Sequence, residues 1–206
     1  MKEKNIILTA RIASLIFTPF YLPIIGLIAL FAFSYLSQLL PWYYKLTVLF
    51  MAYIFTVLLP TLLIHLYRKY QGWSLLDLGS KERRMIPYVI SIVCYFACYY
   101  IMNLYRIPHF ISSILVSALA IQIICALINV WWKVSTHTAA IGGVTGALLS
   151  FAMLFQFDPT WWLCLVMFVA GVVGSSRMIL RQHNLLQVVT GFFVGLVAAF
   201  FIITLI

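Results

Sequence analysis

Seven apolar runs, each about twenty residues or longer, follow one another through a chain of 206 residues, at about 10–38, 43–66, 87–105, 108–131, 138–156, 160–179 and 184–206. A run of that length matches the hydrocarbon thickness of a bilayer, and inside lipid a helix satisfies its own backbone hydrogen bonds. Composition agrees, since 65% of residues are hydrophobic, 8% are charged, and the only acids are Glu3, Asp77, Glu82 and Asp158. No soluble domain of this size hides that much apolar surface. The expected fold is all-α: a polytopic transmembrane helical bundle of about six to seven spans, forming a single domain over residues 1–206.

The first run holds Pro19, Pro23 and Gly26, so its helix is expected to be kinked or broken. It is too long for the apolar part of a signal peptide and has no clear cleavage site, and it is therefore read as the first span. Trp42, Trp73, Trp131, Trp132, Trp161 and Trp162 lie almost entirely at run ends, as an aromatic belt requires. Cys94, Cys98, Cys125 and Cys164 fall inside the runs with no other ligand-type residues beside them in sequence, which reads as small buried hydrophobes. Residues 67–86 form the one sizeable loop. Short loops elsewhere favour antiparallel neighbours.

Counting spans sorts the loops onto two sides. One side carries Lys2, Lys4, Arg11, Arg68, Lys69, Lys81, Arg83, Arg84, Lys133, Arg177 and Arg181, and the other only Lys45 and Arg106. Such a bias puts the first side in the cytoplasm. Setting aside the six basic residues from Lys81 onward, which could instead serve an anion site, leaves five against two. The basic residues form no continuous stripe, so anionic lipid or phosphate suits them better than nucleic acid.

Three segments bring polar chemistry to that first side. KERR contributes Lys81, Arg83 and Arg84; KVSTH contributes Lys133, Ser135, Thr136 and His137; SSRMILRQHNLLQ contributes Ser176, Arg177, Arg181, His183 and Gln187. Carboxylates are nearly absent, and such a site attracts a dianion. Lys and Arg can clamp the oxygens of a transferring phosphoryl group, and Ser135 or Thr136 can cap the next helix, whose free N–H groups favour anions. Two histidines can divide the remaining work, one attacking phosphorus and the other protonating the leaving oxygen. Gly142, Gly143 and Gly146, with Gly191 and Gly195, follow the two histidine motifs at helical spacing, which predicts close packing of those two helices. His65 and His109 stand at run ends outside any motif and read as interfacial.

Ser176-Arg177, five residues, His183, three residues and Gln187 resembles the SRxxxxxHxxxD motif of the type 2 phosphatidic acid phosphatase (PAP2) family, which also includes vanadium haloperoxidases. Ser135-Thr136-His137 is similar to the family's PSGH motif, and Lys81 to Pro87 to a contracted KxxxxxxRP motif. The resemblance covers roughly residues 80–195 and implies a PAP2-like core over about 80–206 preceded by N-terminal spans over 10–66. It further implies a metal-independent lipid phosphatase of the integral-membrane branch, using no cofactor. His183 would form a phosphohistidine and His137 would be the general acid. Arg177, Lys81 and Arg84 would clamp phosphate, joined by Lys133, Ser135, Thr136 and Ser176.

Gln187 stands where the family has aspartate; at i,i+4 from His183 its amide oxygen can still accept from the imidazole. Val134 and Thr136 replace the family's proline and glycine. The implied substrates are phosphatidylglycerophosphate, phosphatidic acid or undecaprenyl pyrophosphate, in a bacterial cytoplasmic (inner) membrane. The alternative is a degenerate, non-catalytic PAP2-fold protein that binds lipid phosphate or a partner. Enzymes that hold Mg²⁺ on clustered aspartates are excluded, because no loop carries a pair of them.

Overall fold

A computed structural model describes residues 2–33, 40–72 and 81–206, except the side chains of residues 2, 3, 32, 33 and 81–84. Within these residues the chain forms α1 (Lys2–Ile16), α2 (Leu22–Phe33), α3 (Trp42–Gln71), α4 (Lys81–Leu104), α5 (His109–Trp131), α6 (Thr136–Phe155), α7 (Thr160–Ile179) and α8 (Leu185–Leu205). The last six contain segments long and apolar enough to cross a membrane, and the chain is an integral membrane protein.

One expectation changes: residues 67–71 and 81–86, expected in a loop, lie in α3 and α4. The first apolar run is broken, as its prolines predict, because the chain leaves the helix after Ile16 and resumes at Leu22. Pro19 explains the break: its ring removes an N–H and pushes the preceding Thr18 away from helical geometry. Among the described residues α1 covers 15 and α2 covers 12, each shorter than a span. Within α3, the segment Ile54–Leu58 widens to a π-turn just before Pro60. There the wider ladder accommodates a proline that cannot donate, and Thr61 Oγ1 donates to the Val57 carbonyl at 2.6 Å.

Aromatic residues mark the ends of the bundle, with Trp42, Trp131 and Trp161 all strongly exposed. Cys94, Cys98 and Cys125 are buried as expected, whereas Cys164 is exposed. It faces outward from α7, a helix whose spanning window is largely unburied.

The tightest feature of the bundle is the α6–α8 pair. A Cβ placed on Gly195 would lie 1.7 Å from the Ala139 carbonyl oxygen, and one on Gly142 would lie 1.9 Å from that of Phe192. Gly146 meets the Leu196 carbonyl and Gly191 that of Ser135 in the same way. These are backbone-to-backbone contacts that no side chain can enter, the arrangement by which small residues let helices associate in lipid. Gly143 faces α5 instead, against Ile121. At the far end of the pair, Ser150 Oγ donates to the Phe200 carbonyl at 2.8 Å and also hydrogen-bonds Thr204.

Because the Gly195 contact is with backbone, Gly195→Ala should lower stability by about 1–3 kcal/mol or more. Gly171 on α7 has open space around its missing Cβ, so Gly171→Ala should leave stability unchanged or raise it by up to about 1 kcal/mol. Thermal unfolding of both variants in detergent checks the pair of outcomes.

Candidate active site

The α6–α8 pairing fixes the start of each helix. Ser135 is the N-cap of α6, accepting on its hydroxyl from the Thr138 N–H at 3.4 Å. Its own N–H donates to the Gln187 carbonyl at 3.3 Å, which ties the turn before α6 to the first turn of α8. Thr136 and His137 then occupy the first turn of α6, where backbone N–H groups have no intrahelical acceptor. Lys133 strengthens the same tie, its ammonium donating to the Gln182 carbonyl at 2.5 Å.

Asn129, near the end of α5, holds the turn from the other side. Its amide donates to the Cys125 carbonyl at 2.8 Å and to the Tyr88 hydroxyl at 2.9 Å, and its Oδ1 accepts from the Val134 N–H at 3.2 Å. Val134 stands where the resembled motif has proline, and its N–H, which proline would lack, makes this anchor.

His183 precedes α8. Its Nδ1 lies 3.2 Å from Oε1 of Gln187, and the same oxygen accepts from the Asn184 N–H at 3.3 Å. Asn184 answers by accepting from the Gln187 N–H at 2.9 Å, which completes a capping box. An amide oxygen only accepts, so the contact requires the proton on Nδ1 and leaves the lone pair on Nε2. Gln187 thus orients the imidazole, as its i,i+4 spacing predicts, while also capping the helix.

His137 is the second imidazole. Its Nδ1 is buried with no hydrogen-bond partner among the described residues. The Arg177 and His183 charges both act on it, so the three groups share one site. Arg177, in the last turn of α7, donates from Nη1 to the Ser14 hydroxyl at 2.7 Å, and its Nε is buried without a partner among the described residues. Ser176, beside it in sequence, is buried and donates back to the Val172 carbonyl at 2.7 Å. Arg181 is exposed, in the left-handed conformation that turns the chain out of α7.

The structure therefore brings His137, Arg177 and His183 together, with Thr136 at the adjacent helix start and Lys133 on the rim. KERR opens α4, but the side chains of Lys81, Arg83 and Arg84 lie outside the described residues. His65, within α3, and His109, at the start of α5, are exposed. Sequence reasoning missed Asn129 and Ser14. An amide ending an apolar run directly before a polar motif was the available signal for Asn129, and Ser14 had none.

Beside the site lies a crevice of about 330 Å³ between α2, α5, α6 and α7, with almost wholly apolar walls. Thr136 lines one end, and Phe155 and Phe157 line the other. From Thr136 to Phe155 the helix rises about 28 Å, close to the hydrocarbon thickness of a bilayer.

Residues 129–206, from the Asn129 anchor through α6, α7 and α8, match the sequence model of the PAP2 superfamily. No curated protein and no solved structure matches the chain.

Replacing Gln187 with leucine should release the Nδ1 proton of His183, and nitrogen NMR of the histidine-labelled protein should then show a tautomer mixture in place of a single Nδ1–H form. The lost cap should also cost about 1 kcal/mol of stability.

Proposed function

We propose, since the chain belongs to the PAP2 superfamily, whose members are generally phosphatases, that it is a membrane lipid phosphatase working through a phosphohistidine. One observation carries the reading: two imidazoles and a guanidinium meet at one end of the bundle, with His183 held by an acceptor that leaves Nε2 its lone pair. The apolar crevice beginning at Thr136 supports a substrate whose phosphate is joined to a hydrocarbon tail.

In this mechanism Nε2 of His183 attacks phosphorus while the bond to the leaving oxygen breaks. His137 takes a proton at Nδ1, from a phosphate that arrives protonated, and returns it to the leaving oxygen. Arg177 and the first-turn N–H groups of α6 stabilise the charge spread over the phosphoryl oxygens. Water then attacks the phosphohistidine with His137 as base, which frees phosphate and restores His183. Gln187 orients the imidazole without the charge that a carboxylate would lend the imidazolium.

Lys133, Ser135, Thr136 and Ser176 complete the proposed phosphate-binding set; Ser135 and Ser176 act in it by shaping the helix ends. Lys81 and Arg84 join it by resemblance alone. The excess of basic residues on the site's side supports a cytoplasm-facing site in a bacterial inner membrane. Phosphatidylglycerophosphate, phosphatidic acid and undecaprenyl pyrophosphate are the candidate substrates.

Detergent-purified protein should release inorganic phosphate from at least one of these lipids in the presence of EDTA. His183→Ala should cut the rate by roughly 10³-fold or more while leaving the fold intact. Full activity in that variant would remove the nucleophile assignment. No release from any of the three by folded wild-type protein would favour the non-catalytic reading.

A further inference from the structure

One residue of the site comes from none of the three polar segments. Ser14 lies near the end of α1 and is only 7% exposed. Its hydroxyl accepts from Nη1 of Arg177 at 2.7 Å. One of the three groups that the proposed reaction needs is therefore held by a residue on the helix that precedes the break at Pro19.

On the guanidinium, Nη1 lies away from the edge that carries Nε. Ser14 therefore fixes the fork while the Nε edge stays open, and Nε is buried with no partner among the described residues. An unpaired guanidinium N–H beside an unpaired imidazole nitrogen suits an oxyanion that brings a proton, which a phosphate monoester does.

We propose that Ser14 is a positioning residue of the active site, its hydroxyl setting Arg177 for bidentate contact with phosphate. In this arrangement α1 completes the site that α6, α7 and α8 build. The inference rests on the phosphatase reading for its ligand, and the test separates the two.

The test uses the full chain in detergent, with inorganic phosphate as the probe in calorimetric titration and steady-state kinetics on whichever lipid the wild type hydrolyses. Ser14→Ala removes the hydroxyl. It should weaken phosphate binding and raise KM roughly tenfold, with kcat changed much less, because only the arginine loses its partner. Ser14→Thr, which restores a hydroxyl, should recover most of the loss, and all three proteins should share one thermal midpoint. Equal or tighter phosphate binding by Ser14→Ala would overturn the proposal, since the hydroxyl would then be occupying the ligand's place. A fall in kcat that tracks lowered stability in both variants would also overturn it. If the wild type binds phosphate but hydrolyses nothing, the phosphatase reading fails, while weakened binding in Ser14→Ala still supports the positioning role. A wild type that binds no phosphate overturns both.

Discussion

Contact between the backbones of α6 and α8 is the constraint on which the rest of the molecule depends. Lipid supplies no hydrophobic push between helices, so association rests on close packing and on hydrogen bonds. Gly142, Gly146, Gly191 and Gly195 bring the two backbones together, and their geometry leaves little freedom to slide. The bond from the Ser135 N–H to the Gln187 carbonyl then sets the two helix starts level with each other. His137 and His183 sit at those starts, so the register of two greasy helices becomes the spacing of two imidazoles.

Around this pair the bundle separates its polar and apolar work by depth. Cap, capping box, histidines and arginine gather at one end, where the helices expose free N–H groups. The crevice along α6 runs the other way, between walls that offer a hydrocarbon chain nothing to hydrogen-bond except a few buried polar groups such as Gln122 and Ser117. A molecule with a charged head and a greasy tail meets both halves of that division.

What could be read in the sequence was whatever depends on near neighbours. Run lengths gave the spans from Trp42 onward, glycine spacing gave the tight helix pair, and i,i+4 spacing gave the His183–Gln187 contact. Pro19 announced the break in the first run, and the chain leaves the helix there. Asn129 and Ser14 were harder because their roles are long-range. An asparagine near a helix end is ordinary until the turn it anchors is seen, and a serine in a greasy stretch says nothing about an arginine that reaches it from another helix.

Gln187 occupies two offices at once, as the N3 residue of the α8 capping box and as the acceptor that aligns His183. An aspartate in its place would be a titrating group, and its hold on the ring would vary with its own ionisation. The amide carries no ionisable proton, so the alignment of His183 is independent of acidity. The helix cap and the imidazole orientation are also linked: the capping box places the Gln187 side-chain oxygen, and that oxygen, through a third hydrogen bond, chooses the tautomer of His183.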